Sequence, residues 1–218
     1  MTSVYSQART DGRQVNQLRP PSITFGLLTR SDGSCQFGLG DSIAISAVTG
    51  PVEAKTAFSS YKGMYFDVCI RPATGMAGGK ERVLERRVSS LLSACVDASA
   101  YPYTQLNVSI EVLSDDGSAE SVVLNSAVLA VMNAGLRMTS VPISVNLAGP
   151  FLDPDVTEER LHGSTCVSVC MQSGKVVQAN GGMGFEGMTM AQATAEMLSG
   201  IIRTATAADF QPVLNRVL

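Results

Sequence analysis

Apolar and polar residues alternate with a period of two over Ile23–Leu28, Ser34–Leu39, Ser42–Val48 and Met64–Ile70, which predicts strands there. The Ser31-Asp32-Gly33 turn joins the first two as a hairpin. Gly50-Pro51 ends the third, and residues 51–63 read as a loop. In the third strand Ile43, Ile45 and Ala47 oppose Ser42, Ala44 and Ser46. A Gly-rich connection from Arg71-Pro72 to Gly79 leads into a helix over Lys80–Val96, with an apolar stripe of Val83, Leu84, Val88, Leu91, Leu92 and Cys95. After Pro102, a strand over Gln105–Leu113 alternates Leu106, Val108, Ile110 and Val112 with Asn107, Ser109 and Glu111. Further strands are predicted at Val141–Leu147, Thr165–Met171 and Lys175–Ala179, and a last helix from about Thr189 to Ala207. Strands and helices do not alternate, so the pattern is α+β without repeated βαβ units.

One helix differs from the others. The stretch Ser114–Gly135, SDDGSAESVVLNSAVLAVMNAG, opens with two carboxylates and a glycine and continues apolar on nearly every side. Ser118 is placed to cap its start, and Gly135 to end it in the C′ position. A helix apolar all round is buried between layers or lies in a membrane. At about 16 residues it is shorter than the roughly 20 that a bilayer needs, so it is expected at the packed centre of the fold. The free N–H groups at its start make the preceding loop a candidate anion site.

With 218 residues, 45% of them hydrophobic, the chain has the material for one large core. Residues 1–22 are polar and read as an N-terminal arm, and residues 23–218 as the domain. In the arm, Arg9, Arg13 and Arg19 stand around Asp11-Gly12 and read as a solvated leader, with Arg9 and Arg13 as candidate contacts for RNA. A net charge of −3 argues against a free-standing nucleic-acid binder, so any RNA contact is a local patch or is shared with partner chains. The basic end of the first helix, Lys80, Arg82, Arg86 and Arg87, is either such a patch or a solvated face. The five cysteines lie in apolar runs and read as buried free thiols. Cys166 and Cys170 share a strand face, but without a second pair or a His cluster they read as core before zinc. Gly182-x-Gly184-x-x-Gly187 matches a dinucleotide fingerprint. No second parallel strand follows to carry an acid for a ribose, so a flexible turn is the better reading. Asp153-Pro154-Asp155 begins an acidic connector that ends in Glu158-Glu159, and His162 lies alone in a loop, with no partner for general-base work. The polar N-terminus has no apolar run of the kind expected in a secretory signal.

Three runs together resemble the RNase PH family: RTDGRQVNQLRP (Arg9–Pro20), SDGSCQFGLGDSIAISAVTGP (Ser31–Pro51) and SDDGS…LNSAVLAVMNAGLRM (Ser114–Met138). The likeness extends in order from Arg9 to the last helix, and is closer to the short RNase PH-like ring subunits of the exosome. It implies an RNase PH-like single domain of α+β class, with mixed sheets packed around the buried central helix. It also implies a six-membered ring through which RNA passes. The implied partners are other RNase PH-like exosome ring subunits, cap proteins and RNA, with a homodimer as one form of the isolated chain and no membrane. The implied location is the nucleus and nucleolus, and also the cytoplasm.

Active members of that family are phosphorolytic 3′→5′ exoribonucleases. Their site holds two anions with a Ser/Thr-Arg pair at the helix N-terminus and further arginines, assisted by an aspartate on a later strand. Such catalysis is mostly positioning and charge neutralisation. The resemblance puts the phosphate loop on Asp116, Gly117, Ser118, Ala119 and Glu120, with Ala119-Glu120 in place of Ser/Thr-Arg. The aspartate position falls on Thr165 or Cys166, and Lys80 is the remnant of the family's basic pair. The expectation is therefore a degenerate loop with no catalytic residue, metal or cofactor. The chain would be a non-catalytic ring subunit supporting 3′–5′ RNA processing and degradation, in rRNA processing and mRNA decay. Arg71, Lys80, Arg82, Arg86 and Arg87 are the RNA-binding candidates. The alternative is an active exoribonuclease, phosphorolytic by another route or metal-dependent through Asp115, Asp116, Glu158 or Glu159. Glu120 also has a simple folding role, since a carboxylate in the first turn of a helix stabilises its dipole by about 0.3–1 kcal/mol.

Overall fold

The computed structural model describes residues 9, 11–182 and 184–217, with side chains as far as residue 209. Residues 1–8 and 10 of the polar arm lie outside the described residues. Five strands, β1 (Pro21–Phe25), β2 (Gly33–Leu39), β3 (Ser42–Glu53), β4 (Tyr65–Arg71) and β5 (Thr104–Ser114), form one sheet in the order β1-β2-β3-β5-β4. Every pair in it is antiparallel except β4 with β5. A second, antiparallel sheet has the order β7-β6-β8-β9, from β6 (Pro142–Ala148), β7 (Phe151–Leu152), β8 (Thr165–Cys170) and β9 (Val176–Asn180). The helices are α1 (Gly79–Cys95), α2 (Ala119–Asn133), α3 (Val156–His162) and α4 (Phe185–Val217). Among the described residues no helix is long and apolar enough to cross a membrane.

The all-round apolar character of α2 is explained by its place between the sheets. It packs on β2 and β3 of the first sheet and on β6 of the second, so every residue from Ser121 to Val131 is buried. Gly135 follows it with φ +73°, the left-handed stop that glycine adopts without strain. Close approach to the first sheet requires small side chains. A Cβ on Gly33 of β2 would lie 2.5 Å from the Ala130 carbonyl oxygen and 2.4 Å from the Ala134 nitrogen. For the same reason β3 buries Ser42, Ala44, Ser46 and Val48, while the larger Ile43 and Ile45 are half-buried on the other face. The Ser46 and Ser126 hydroxyls meet at 2.7 Å across the contact. On the second sheet, the two-residue β7 leaves part of the β6 edge unpaired, and Asn125 of α2 takes its place. Its side-chain amide donates to the Ser144 carbonyl (2.9 Å), and its carbonyl accepts the Ser144 N–H (2.7 Å). A buried asparagine at this position thus satisfies a strand edge rather than leaving it open.

Several boundaries differ from the sequence pattern. β3 runs through Gly50-Pro51, a cis bond, to Glu53, with an irregularity in its pairing to β5 between Thr49 and Val52. The acidic connector is a helix, α3, because Asp155 and Glu158 form a capping box: the Asp155 N–H donates to Glu158 Oε2 at 3.1 Å. His162 therefore lies in the last turn of α3, its ring 5.6 Å from that of Phe151. α4 begins at Phe185, so Gly187 is a helical residue and not part of a turn. Four cysteines are buried, but Cys69 is exposed, on the outer side of β4.

The arm is not a solvated leader over its described length. Arg19 is buried, and its guanidinium grips Asp153 at 2.7 and 2.8 Å, while its backbone N–H donates to the same carboxylate at 3.0 Å. It also donates to the Asp116 and Gly117 carbonyls, at 2.9 and 3.2 Å. Arg9 forks onto Glu158 (2.8 and 2.9 Å) and donates to the Leu152 and Asp153 carbonyls, and Arg13 reaches Asp153 at 3.3 Å. Arg9 and Arg13 are thus structural cations, not free contacts for RNA.

Breaking a buried pair leaves a charge without a partner, at a cost of about 3–5 kcal/mol. Arg19→Ala is expected to lower the unfolding free energy by that order, measured by urea denaturation. Burial raises the Asp153 carboxyl, but the Arg19 hydrogen bond and charge more than reverse this, to a net value below the ordinary 3.8. With the folded value depressed, the contribution of Asp153 is complete above pH 3.8 and is lost as pH falls through the folded value. The variant should therefore show a shallower loss of stability in acid than the parent.

Candidate functional site

The first turn of α2 faces a cavity of about 640 Å³, bounded by the 72–74 loop, the start of α1, the ends of β4 and β5, and Glu159 of α3. The loop entering α2 is shaped by two successive left-handed residues, Gly117 (φ +88°) and Ser118 (φ +56°). Only glycine fits the first position, because a Cβ there would lie 2.4 Å from the Pro154 carbonyl oxygen. Ser118 occupies the N-cap position but does not cap with its side chain: the left-handed backbone turns its hydroxyl to donate to the Pro154 carbonyl at 3.1 Å. The Ser118 N–H, at the positive end of the helix, donates to Glu159 Oε1 at 3.0 Å. The same carboxylate oxygen accepts from Ser164 Oγ (3.0 Å) and Asn146 Nδ2 (3.3 Å). An anion thus already sits at this helix start, and it belongs to the protein.

Glu120, one turn further on, is also engaged. Arg87 of α1 donates to its Oε1 at 2.6 Å, and Asn180 of β9 to its Oε2 at 3.3 Å. The cavity lining carries four carboxylates, Glu81, Asp115, Glu120 and Glu159, against two cations, Lys80 and Arg87. Of these two, Arg87 is neutralised by Glu120. Asp116 points away from the cavity lining, to Arg19 at 3.4 Å. Burial raises the Asp116 carboxyl and the Asp155 carboxylate raises it further, against the pull of Arg19.

Between the two positions left open on the later strand, Cys166 belongs to this group. Burial pushes its thiol well up, the Glu120 carboxylate adds to that, and Glu159 does so more weakly, while Arg87 opposes. The thiol is held protonated, so it offers neither a nucleophile nor a base. Thr165 begins β8, paired with Leu147.

The basic candidates do not gather into one patch. Lys80 and Arg87 line the cavity. Arg71 donates to Glu111 (2.9 Å) on the exposed outer face of the first sheet. Arg86 lies along the flank of β4 beside Asp67, and Arg82 is exposed outside the cavity lining. Of the carboxylates named for a metal-dependent route, Asp115 and Glu159 both line the cavity, whereas Glu158 is held by Arg9 and Asp116 by Arg19. Among the described residues, no three of His, Cys, Asp and Glu gather as a metal-holding group. The contribution of Glu159 is not visible in the pattern of the sequence, but one signal for its helix is. Asp155-Val156-Thr157-Glu158 carries a helix start three residues apart, which would have placed Glu159 on a helix facing α2.

Two sheets around a buried helix, with a loop of two left-handed residues leading into it, define a class, and comparison with known proteins agrees. Residues 17–137 match the 3′ exoribonuclease family, domain 1, and the chain belongs to this RNase PH family. The fold is the RNase PH fold, in a single domain. The chain is 31% identical over 122 residues to "Exosome complex component rrp46" of Schizosaccharomyces pombe, covering 56% of this chain and 54% of the relative. It is 30% identical to "Exosome complex component RRP46" of Saccharomyces cerevisiae, over 70% of this chain and 75% of that one. The matched stretch thus spans about half the length of the fission-yeast relative. Among solved structures, rice (Oryza sativa) Rrp46 superposes with a TM-score of 0.72 at 25% identity, covering 93% of this chain and 97% of the other.

Gly117→Ala should destabilise the protein by more than about 1 kcal/mol, because the new methyl has neither backbone freedom nor space. The loss should appear as a lower melting temperature, and as faster amide exchange in the first turn of α2 than at its centre.

Proposed function

We propose that this chain is a non-catalytic ring subunit of an RNA exosome, similar in class to the rrp46 components it resembles. It supports 3′–5′ RNA processing and degradation, including rRNA processing and mRNA decay, by completing the ring and guiding RNA to a nuclease elsewhere. Its partners are other RNase PH-like subunits, cap proteins and RNA, and a homodimer is the form proposed for the isolated chain. It works in the nucleus and nucleolus, and in the cytoplasm. Exosome components recur among the relatives, which supports the ring assignment.

The observation that carries the non-catalytic half is the pair of carboxylates at the start of α2. The loop Asp116, Gly117, Ser118, Ala119, Glu120 is read as a phosphate loop that has lost its function. Where active relatives would present a hydroxyl and a guanidinium to phosphate, this chain presents Ala119 and Glu120. Glu159 already accepts the Ser118 N–H at the helix N-terminus, and Arg87 is turned onto Glu120. Phosphate entering the cavity meets a net negative lining. In the assembled ring, Lys80 would meet RNA in the cavity beside Arg87, which is already paired with Glu120, with Arg71, Arg82 and Arg86 as outlying contacts.

Purified chain incubated with oligoadenylate and phosphate is expected to release no nucleoside diphosphate, and to leave the RNA intact with magnesium or manganese. Phosphate at millimolar concentration should scarcely move the melting temperature. A ligand at a hundred times its dissociation constant would add about 2.7 kcal/mol, roughly 5–10 °C for a chain of this size. Ala119→Ser combined with Glu120→Arg should raise the phosphate response without restoring turnover. Phosphate-dependent release of nucleoside diphosphates by the parent chain would overturn the assignment and establish the active exoribonuclease instead.

A further inference from the structure

Two of the buried cysteines lie on either side of one short segment, residues 139–141, in the connection from α2 to β6. Cys95 ends α1, and its carbonyl accepts the Thr139 N–H at 2.7 Å and the Thr139 hydroxyl at 2.9 Å. On the other side, the Val141 N–H donates to Gln172 Oε1 at 3.2 Å, and the Val141 carbonyl accepts the Met171 N–H at 2.9 Å. Gln172 Oε1 also accepts the Cys170 thiol, at 3.1 Å. Ser140 stands between these anchors, and its hydroxyl bonds to both thiols. Cys170 is the last residue of β8, where the chain turns. Its N–H donates to the Lys175 carbonyl at 2.8 Å, and its carbonyl accepts the Gly174 N–H at 2.9 Å. The turn exposes Gln172 and Ser173 and leaves Cys170 6% exposed, whereas Cys95 is enclosed at 0%. The two thiols also differ in acidity. Burial raises the Cys170 thiol, but the Ser173 side chain and backbone, the Gln172 backbone and the Ser140 hydroxyl more than reverse this, to a net value below the ordinary 9.0. Burial pushes the Cys95 thiol up to about 11, opposed by the Ser140 hydroxyl and aided by Cys170.

We propose that Cys170 and Cys95 are a peroxide-sensitive thiol pair, in which Cys170 is oxidised first and Cys95 then closes a disulfide between the ends of α1 and β8. In the first step the Cys170 sulfur attacks a hydroperoxide. An S–O bond forms and the O–O bond breaks; the sulfur is oxidised to a sulfenic acid and the peroxide is reduced. The far oxygen leaves as water or an alcohol, with the proton that the thiol gave up. In the second step the Cys95 sulfur attacks the Cys170 sulfur. The S–S bond forms, the S–O bond breaks, and the hydroxyl leaves as water with the Cys95 proton. The two roles follow from position. Cys170 is the thiol that a small oxidant in solvent can reach, and the donors of its turn favour the nucleophilic thiolate. Cys95 is enclosed, and it meets only the oxidised form of its neighbour. The bond would join a helix packed on the first sheet to a strand of the second. Neither cysteine lines the cavity, and the pair does not depend on the ring assignment.

The test uses the isolated full chain, reduced, desalted and treated with stoichiometric hydrogen peroxide. Peptide mass mapping should find the Cys95–Cys170 disulfide as the main product, and dithiothreitol should reverse it. Closing so long a loop should raise the melting temperature by about 10 °C over the reduced chain. In Cys95→Ser, dimedone should label Cys170 as its sulfenic acid, and peroxide should no longer raise the melting temperature. In Cys170→Ser, Cys95 should remain a thiol. Ser140→Ala should slow the oxidation of Cys170 roughly threefold, through a smaller thiolate fraction. The parent chain supplies a measurement that no folding defect can disturb: Cys170 should be oxidised ahead of the exposed Cys69. Oxidation confined to Cys69, or a disulfide between other cysteines or between two chains, would overturn the proposal. So would a Cys170 sulfenic acid that persists in the parent without closing on Cys95.

Discussion

The bidentate pair between Arg19 and Asp153 holds three separate segments to one point. Its guanidinium closes on the Asp153 carboxylate and, with its remaining N–H groups, on the carbonyls of Asp116 and Gly117. The leader, the loop into α2 and the loop into α3 are thereby fixed together. The left-handed conformations of Gly117, Ser118 and Asp153 are tolerated because this network over-determines them. Glu159 can reach the start of α2 only because α3 is anchored there. The electrostatics of the cavity thus depend on a contact that is not part of its lining.

That dependence explains what could be read in the sequence and what could not. β5 and α2 are clear because their patterns reflect single, uniform environments: Leu106, Val108 and Ile110 face a core, and α2 is enclosed by two sheets. β3 misleads because its larger side chains suggest the buried face, whereas close helix approach buries the serines and alanine instead. Ser118 misleads differently. Its residue type and position suit an N-cap, but the left-handed backbone imposed by the neighbouring loop sends its hydroxyl elsewhere. Pairings such as Arg9 with Glu158 and Arg87 with Glu120 leave no periodic trace, since each joins residues far apart in the chain. The leader's arginines therefore looked available until their partners were seen.

At the candidate site, charge matters more than shape. The cavity has the size and position of a binding site, and its wall is partly apolar, with Ile70, Val83, Leu84, Val112 and Val123. Its polar groups, however, are largely satisfied from within the chain. Glu159 meets the helix amide, Glu120 meets Arg87 and Asn180, and Cys166 is kept as a neutral thiol. A hydrogen-bonding group that already has a partner must give it up before it can bind a ligand, and the lost bond offsets the gain. The wall of the cavity is thus built largely from polar groups engaged within the chain.

The separation of the leader from its partners also has a consequence in time. Arg9 leaves the ribosome 149 residues ahead of Glu158. At about 5–20 residues per second, that is a wait of roughly 7–30 s during which the arginine has no partner and stays hydrated. The first sheet can assemble in that interval, but the leader cannot dock until α3 has been made. The segment around Arg9, synthesised well before Glu158, is thus among the last to take its place, and its docking marks the moment when its partners are present.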